Sequence, residues 1–229
     1  MIIDDKEVCM IPGEASTISE EEHIERYKFA SDFVKSKRVL DIACGVGYGS
    51  YILSKAGAHS VIGCDIMKSN IEYANAHYSD EKTSFLVKDA KVPIDEGEFD
   101  VVVSFETIEH VDDCYSVLSN LKNSLSENGM LIISSPNRKI TNPYLRVTDR
   151  PSFEYHFREY TRDEFYLLVE SYGFSNIQEY GQRWQYYFNS PFFEKHYKRL
   201  FKPSRKSSPL VTKCSKDREP EYFIFTARK

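Results

Sequence analysis

The stretch 38–53, RVLDIACGVGYGSYIL, constrains the fold of this chain more than any other part of the sequence. It predicts a short buried strand, a turn that contains Gly45, Gly47 and Gly49, and the start of a helix. Glycine can adopt φ > 0 and lets a ligand lie directly against the backbone. Free N–H groups at the start of the following helix favour a negatively charged ligand group. The stretch therefore predicts a nucleotide-like cofactor site between a strand and a helix.

Apolar segments alternate with amphipathic helices along the next hundred or so residues. This alternation is typical of a doubly wound α/β protein, in which helices cover both faces of a mostly parallel sheet. The segment FDVVVSF at 99–105 is apolar enough to be buried on both faces, as a central parallel strand is. We expect a Rossmann-like sheet of seven strands with an antiparallel last strand. The predicted strands are 38–42, 60–64, 85–88, 99–105, 130–134, 174–180 and 221–227.

Acidic residues stand at or just after the ends of the first three predicted strands, namely Asp41, Asp65 and Asp89. Ligands of open α/β sheets bind outside the carboxyl ends of the strands. The acid after the second strand can accept hydrogen bonds from both ribose hydroxyls of a cofactor. Taken singly, each of these residues could equally be a helix N-cap or a turn residue. Their succession after three strands favours a cofactor that contains a nucleoside.

A dehydrogenase is the alternative that these features must exclude. A dinucleotide fingerprint, G-x-G-x-x-G, requires glycine where Ser50 stands. Tyr51 and Lys55 have the Y-x-x-x-K spacing of short-chain dehydrogenases, but they follow the glycine turn directly, far from where that chemistry needs them. We therefore interpret this match as chance.

The pattern D-x-A-x-G-x-G-x-G at 41–49 resembles motif I of the class I S-adenosylmethionine-dependent methyltransferases, D/E-x-G-x-G-x-G. Ala43 replaces the first glycine, which a tight turn tolerates if its φ stays negative. The segment SFETIEHV at 104–111 resembles the motif that follows the fourth strand in small-molecule methyltransferases. The resemblance covers about residues 20–180 and implies S-adenosylmethionine as methyl donor, with S-adenosylhomocysteine as product. The cofactor-binding residues that it implies are Tyr27, Asp41, Ala43, Gly45, Gly47, Asp65, Ile66, Asp89, Ala90 and Phe105.

The resemblance also implies roles for several of these residues. Asp89 would accept a hydrogen bond from the adenine amino group, and Asp41 would orient the methionyl amino group through water. Phe105 would line the adenosine or methyl-donor pocket. Tyr27 would lie over the cofactor as part of a helix that closes the site.

Methyl transfer to oxygen is an in-line displacement, so an enzyme contributes mainly by holding the acceptor oxygen near the methyl group. A hydroxyl acceptor also needs a nearby base, and imidazole titrates near neutral pH. The candidates are His110 and His156, with Glu109 facing the acceptor, although His156 could equally be structural. Some quinone methyltransferases hold a divalent metal through E-x-x-E-H, which Glu106, Glu109 and His110 match. We do not favour this metal site over hydrogen bonds from the same residues to neighbouring loops.

The segment YHFREYT at 155–161 resembles the H-x-R-E-Y/F-T motif of methyltransferases found with polysaccharide-modifying enzymes. This resemblance implies O-methylation of a sugar hydroxyl in a glycan or a nucleotide-sugar. The second interpretation is an O-methyltransferase of a small aromatic or quinone substrate. A third, of another class, is a non-catalytic S-adenosylmethionine-binding protein that docks a partner through a basic segment.

The 229 residues are expected to form a single domain. Ser19 and Glu22 match a capping box, which predicts a helix over 19–35 at the edge of the cofactor site. Two segments, 137–160 and 183–218, depart from the regular alternation. We expect both to be insertions on the acceptor side of the domain.

The segment 183–218 contains ten Lys or Arg and two acidic residues, although the whole chain has a net charge of −5. Aromatic residues interleave with these cations. This composition suits a lid that stacks on sugars and meets phosphate or uronate groups, or attachment to an anionic membrane. It also suits an insertion that packs its aromatic rings onto the domain. Nucleic-acid binding is the least favoured, because such proteins are more often basic throughout.

The sequence also predicts the compartment. No apolar run approaches the ~18–20 residues that cross a bilayer. The first residues, MIIDDKEVC, lack the basic region and apolar stretch of a secretory signal. The five cysteines are scattered and form no C-x-x-C pair, which indicates a reducing environment. We expect a cytoplasmic protein.

Overall fold

A computed structural model describes residues 17–185, 208–214 and 218–229. Within these ranges one sheet contains eight strands. In chain order the strands are β1 (Arg38–Ile42), β2 (Ser60–Asp65), β3 (Thr83–Val87), β4 (Phe99–Ser104), β5 (Leu125–Pro136), β6 (Ser175–Gln185), β7 (Thr212–Lys213) and β8 (Glu219–Arg228). Their order across the sheet is β3-β2-β1-β4-β5-β8-β6-β7.

The first five strands are parallel, and β8 runs antiparallel between β5 and β6. This arrangement confirms the predicted doubly wound α/β fold with an antiparallel C-terminal strand. The predicted strand number of seven is wrong, because β7 adds an eighth strand beside β6. A strand of two residues is too short to produce a periodic pattern in the sequence.

Helices cover both faces of the sheet, and the described buried side chains form three hydrophobic clusters. Val102 of β4 belongs to one cluster, whereas its neighbours Val101 and Val103 belong to another, so β4 is buried on both faces as predicted. The helices are α1 (Thr17–Ser31), α2 (Tyr48–Lys55), α3 (Lys68–Tyr78), α4 (Cys114–Ser124), α5 (Arg138–Thr141) and α6 (Arg162–Ser171), with a 3₁₀ turn at Ile108–His110.

Helix α1 begins before the predicted capping box and ends at Ser31, earlier than the predicted 35. The capping role predicted for Glu22 is wrong, because its buried carboxylate forms an ion pair with Arg183 at the end of β6. Arg26, one turn later, donates from Nη1 to Oε1 of Gln182 at 2.8 Å. These long-range contacts fix α1 over the edge formed by the carboxyl ends of the parallel strands.

The alternation of strands and helices breaks after β5, as the sequence predicts. An isolated β-bridge joins Asn137 to Tyr160, so the segment between them leaves the sheet and returns to the same point. The next helix, α6, opens with a capping box in which Thr161 and Glu164 exchange hydrogen bonds. Segment 137–160 thus lies between the ends of β5 and α6, next to the ligand-binding edge of the sheet.

Only part of segment 183–218 is described, and this part includes the end of β6 and the strand β7. Trp184 of β6 donates from Nε1 to the Thr212 hydroxyl of β7 at 2.8 Å. Among the described residues, no helix is both long enough and apolar enough to cross a bilayer. The aromatic and cationic residues predicted for a lid or membrane contact that lie outside the described residues are Tyr186, Tyr187, Phe188, Phe192, Phe193, Lys195, Tyr197, Lys198, Arg199, Phe201 and Lys202.

Candidate active site

The turn after β1 adopts the left-handed conformations that its glycines permit. Gly45 has φ 55° and Gly47 has φ 86°. A Cβ on Gly47 would lie 2.7 Å from both the Ala74 Cβ and the Phe85 ring, so glycine is required there on two grounds. Ala43 has φ 58°, and the expectation that its φ stays negative is therefore wrong. The first position of the motif needs a left-handed backbone whether or not glycine occupies it.

Asp65 at the end of β2 connects this turn to α3. Its Oδ2 accepts from the Gly45 N–H at 2.9 Å, and its Oδ1 accepts from the Met67 N–H at 2.8 Å. The Asn70 amide adds a third hydrogen bond to Oδ1 at 3.2 Å. The adjacent side chain of Ile66 is 60% exposed. Asp65 and Ile66 thus offer a carboxylate and an apolar surface side by side at the strand end.

Asp89 and Ala90 follow β3 and lie at the same edge of the sheet. The Asp89 carboxylate accepts from the Lys91 N–H at 2.9 Å and so acts as a turn residue. The Ala90 carbonyl accepts from the Asn120 amide at 3.0 Å. Both residues are half-buried. Their contact with an adenine ring stays a prediction.

Asp41 lies beneath the turn and is completely buried. The Ser50 hydroxyl donates to its Oδ2 at 2.6 Å, and the Tyr27 hydroxyl lies 3.2 and 3.3 Å from its two oxygens. Burial raises the pKa of Asp41 to about 7, although the hydrogen bonds from Ser50 and Tyr27 act in the opposite direction. Contact between Asp41 and a cofactor stays a prediction.

Tyr27 covers the start of α2. Its ring makes edge-on contacts with Tyr48 and Phe105, with centroid distances of 5.6 and 5.1 Å. A Cβ on Gly49 would lie within 2.0–2.3 Å of three Tyr27 ring atoms. The absence of a side chain at Gly49 therefore allows Tyr27 to pack against α2. Phe105 and Tyr27 thus pack against each other, and both side chains are buried. Their contact with a cofactor stays a prediction.

We expect Ser50→Ala to lower the free energy of unfolding by roughly 1–3 kcal/mol, because the buried Asp41 carboxylate loses a hydrogen bond. The raised pKa of Asp41 means that the folded state holds a proton which the unfolded chain releases between about pH 4 and pH 7. The contribution of Asp41 to stability should therefore fall as the pH rises through that window. Loss of the Ser50 hydroxyl should cost more at pH 8 than at pH 5. Urea unfolding at both pH values measures this, with Ser54→Ala one turn further along α2 as control.

Two glutamates follow β4. Glu106 has φ 49°, and its carboxylate accepts from the Ser134 hydroxyl at 2.6 Å. Glu109 is completely buried, and its Oε2 accepts from the Ser135 hydroxyl at 3.1 Å, whereas its Oε1 has no hydrogen-bond partner among the residues that the structure describes. Burial raises the pKa of Glu109 well above its usual range, and the charge of Glu106 adds to this effect. Both effects favour the neutral, protonated form of Glu109.

The two predicted base candidates come together, although 46 positions separate them in the chain. The rings of His110 and His156 meet edge-on with a centroid distance of 4.8 Å. His110 Nδ1 lies 3.1 Å from the Tyr155 carbonyl, and His156 Nδ1 lies 2.6 Å from Oε1 of Glu159. A carbonyl and a carboxylate only accept, so both Nδ1 atoms carry hydrogen and both Nε2 atoms are the acceptors of the neutral rings.

Sequence reasoning missed Glu159, Ser50 and the two serines that hold the glutamates. Glu159 was visible in the H-x-R-E-Y/F-T pattern at 156–161, where an acid three positions after His156 is a signal for a paired side chain. Ser50 takes the place of the third glycine of a dinucleotide fingerprint, and this mismatch does not reveal that its hydroxyl contacts Asp41. Ser134 and Ser135 carried no signal, because serine at a strand end is common.

A family model described as a methyltransferase domain matches residues 19–179 of the chain. The chain belongs to this methyltransferase family. The match includes the glycine turn, the acids after the first three strands and the His pair, and it ends inside β6.

Relatives and solved structures agree with this assignment. A probable S-adenosylmethionine-dependent methyltransferase of Mycolicibacterium smegmatis is 33% identical, over 59% of this chain and 51% of its own length. A ubiquinone biosynthesis O-methyltransferase of Pelagibacter ubique is 34% identical, over 47% of this chain and 45% of its own. The chain thus spans about half the length of the curated relatives that it matches. A methyltransferase structure from Thermotoga maritima has a TM-score of 0.65 at 16% identity, covering 93% of this chain and 91% of that one, and it supports the fold.

Membership of this family implies S-adenosylmethionine as the cofactor, and the residues present fit it. The left-handed turn at Gly45 and Gly47 brings bare backbone to the start of α2, where N–H groups suit a carboxylate. The Gly45 N–H uses one lone pair of Asp65 Oδ2, so this oxygen can also accept from a ribose hydroxyl. The exposed Ile66 side chain provides an apolar surface for a ring.

The three residues that the sequence offers as an alternative metal site, Glu106, Glu109 and His110, do not form one cluster of ligand atoms. Glu106 is held by Ser134, whereas Glu109, His110 and His156 each place one oxygen or nitrogen within 4.8 Å of the others. Metal–ligand bonds of about 2.0–2.2 Å would require these atoms to approach more closely. The raised pKa of Glu109 also favours its neutral form, which is a poor ligand. These observations favour proton transfer over metal binding for this group.

Proposed function

We propose that this protein is an S-adenosylmethionine-dependent methyltransferase that methylates a sugar hydroxyl in a glycan or a nucleotide-sugar. The observation that carries this proposal is the pair of imidazoles at the end of β4, each with an acceptor nitrogen left by its own hydrogen bond. Methyl transfer to oxygen from a neutral hydroxyl needs such a base. A non-catalytic cofactor-binding protein would have no use for an oriented pair.

The cofactor is proposed to lie along the carboxyl edge of β1, β2 and β3. Asp65 would accept from the ribose hydroxyls and Asp89 from the adenine amino group, with Ile66 and Ala90 against the ring. Tyr27 and Phe105 would enclose the methionyl end. In this arrangement Asp41 acts indirectly, because it holds Ser50 and Tyr27 in place.

S-adenosylmethionine, when bound, supplies a methyl group on a positively charged sulfur. The acceptor would lie with its hydroxyl toward Nε2 of His156, which would take up the proton that the hydroxyl loses on methylation. His156 is favoured over His110 because burial, together with the neighbouring His156, lowers the pKa of His110 to about 4. A base that weak removes a hydroxyl proton poorly near neutral pH.

Segment 137–160 supplies the proposed acceptor surface. Tyr144, Phe153 and Phe157 are 61%, 48% and 55% exposed, respectively, and the Phe153 ring contacts His156 at a centroid distance of 4.6 Å. Exposed aromatic faces beside a catalytic base suit the C–H faces of a sugar ring. Segment 183–218 is proposed to complete this surface, where its cations would meet phosphate, uronate or anionic lipid groups.

A small aromatic or quinone acceptor is the second candidate. It is supported by relatives named as ubiquinone biosynthesis O-methyltransferases, one of them 34% identical over 109 residues. Exposed aromatic side chains would stack on such a ring as readily as on a sugar. We place the protein in the cytoplasm, because its five scattered cysteines form no C-x-x-C pair, a pattern typical of a reducing compartment.

A labelled-methyl assay separates these functions. The protein is incubated with S-adenosylmethionine labelled in its methyl group and with nucleotide-sugars, polysaccharide fragments or a catechol. Label in a sugar product supports the proposal, whereas label only in the catechol establishes the second candidate. If S-adenosylmethionine binds and no acceptor is labelled, the result supports the interpretation as a non-catalytic S-adenosylmethionine-binding protein.

We expect Asp65→Asn to weaken S-adenosylmethionine binding by roughly 1–3 kcal/mol, because ribose hydroxyls would lose a charged acceptor. The amide would also turn an N–H₂ group toward the N–H of Gly45 or of Met67, which now donate to the two carboxylate oxygens. Calorimetric titration measures the affinity, with NAD as a control ligand. Asp80→Asn, before β3 at the opposite end of the strand, is the matched variant. Unchanged affinity of Asp65→Asn would remove Asp65 from the cofactor site.

A further inference from the structure

Glu159 is a buried carboxylate at the centre of a hydrogen-bond network in segment 137–160. It is 2% exposed. Its Oε1 faces His156 Nδ1 at 2.6 Å, and its Oε2 accepts from the Asn142 amide at 2.9 Å and from the Thr141 hydroxyl. Burial raises its pKa, but the hydrogen bonds from these three side chains outweigh that effect and hold the pKa below its usual range. Glu159 is therefore an ionised acceptor.

The network around Glu159 is itself anchored. Asn142 is buried, and its Oδ1 accepts from the Ser152 N–H at 3.2 Å and from the Ser152 hydroxyl. These bonds fix the orientation of the Asn142 amide, so that its N–H₂ group must face Glu159. The atom of residue 159 that faces Asn142 must consequently be a hydrogen-bond acceptor.

We propose that Glu159 is a positioning residue that fixes His156 in the Nδ1–H tautomer and leaves Nε2 as the proton acceptor toward the methyl acceptor. This inference rests on the proposed function, in which His156 is the base. Glu159 does not touch the reacting atoms. It acts through the ring of His156, as a buried carboxylate orients a catalytic histidine in other enzymes.

Replacement of Glu159 with glutamine tests the tautomer directly. Asn142 still donates toward the former Oε2, so the glutamine carbonyl oxygen takes that position and its N–H₂ group faces His156. A donor opposite Nδ1 requires Nδ1 to accept, and the ring proton then moves to Nε2. We expect Glu159→Gln to convert His156 from the Nδ1–H to the Nε2–H tautomer without a change in ring position.

Long-range ¹H–¹⁵N spectra of protein labelled with ¹⁵N-histidine report this tautomer, and His156→Gln identifies the signal. The wild type is expected to show Nδ1–H, and Glu159→Gln is expected to show Nε2–H. The double variant Glu159→Gln/Asn142→Asp should restore Nδ1–H, since an aspartate at 142 can accept from the glutamine N–H₂. Glu154→Gln, exposed on the same segment, is the matched control and should leave the wild-type signal. Nε2–H in the wild type overturns the proposal even if no variant folds.

The same variants separate this role from a merely structural one. With a methyl acceptor, Glu159→Gln should lower kcat by about 10²-fold or more, while S-adenosylmethionine affinity stays unchanged. A loss of kcat with an unchanged tautomer overturns the proposal. If the tautomer follows Glu159 but no acceptor is ever methylated, the positioning role stands and the proposed function fails.

Discussion

His156→Gln is expected to slow methyl transfer by about 10²–10⁴-fold, the usual contribution of a general base, with S-adenosylmethionine affinity nearly unchanged. Glutamine is similar in size, but its amide cannot take up the acceptor proton near neutral pH. His156 contacts Glu159, Phe153 and His110, all in or beside segment 137–160, so its loss should leave the glycine turn intact. Single-turnover rates with labelled methyl donor measure the chemical step, and calorimetry measures the affinity.

Two further histidine variants make this result specific. His110→Gln should have a smaller effect, because the pKa of His110 is lowered to about 4 and its imidazole is a weak base. His77→Gln, on α3 and stacked on Tyr73, should have none. If His110→Gln abolishes methyl transfer while His156→Gln preserves it, His110 is the base and His156 is not. If cofactor affinity falls together with the rate, His156 is structural.

The parts of this molecule that local sequence dictates were predictable. The turn at 43–47, the acid at the end of β2 and the apolar β4 each leave a pattern within a few residues, because the backbone geometry there is set by adjacent positions. The capping box of Thr161 and Glu164 is equally local. Such features predict the fold and place the three acids at one edge of the sheet.

The parts that depend on distant contacts were not predictable. The S-x-x-E pattern at 19–22 has the same form as the real capping box, but Glu22 pairs with Arg183, 161 positions away. The preference between His110 and His156 depends on burial and on the partner of each Nδ1, which no spacing reveals. The φ predicted for Ala43 is wrong for another reason. The turn imposes φ 58° on alanine, a residue that ordinarily avoids positive φ.

Gly49→Ala is expected to lower the free energy of unfolding by roughly 3–5 kcal/mol, the range observed when an aromatic side chain is lost from a core. At most helix positions the same change stabilises by about 0.5–1 kcal/mol, because glycine loses more backbone entropy on folding. Here the new Cβ would lie 2.0–2.3 Å from the Tyr27 ring, closer than atoms can approach. Tyr27 must leave, and its contacts with Asp41, Tyr48 and Phe105 are lost with it.

A double-mutant cycle with Tyr27→Ala tests this mechanism by urea unfolding. Once Tyr27 is truncated, the Cβ at position 49 has no ring to meet, so Gly49→Ala should cost nothing or stabilise α2 slightly. If Gly49→Ala lowers the free energy of unfolding equally in the wild-type and in the Tyr27→Ala background, the steric explanation is wrong and the strain lies in the helix itself. Gly49→Ala should also weaken S-adenosylmethionine binding if Tyr27 encloses the methionyl end. Glycine would then be required at position 49 because Tyr27, which closes the site, packs against it. The φ of Gly49 itself does not require glycine.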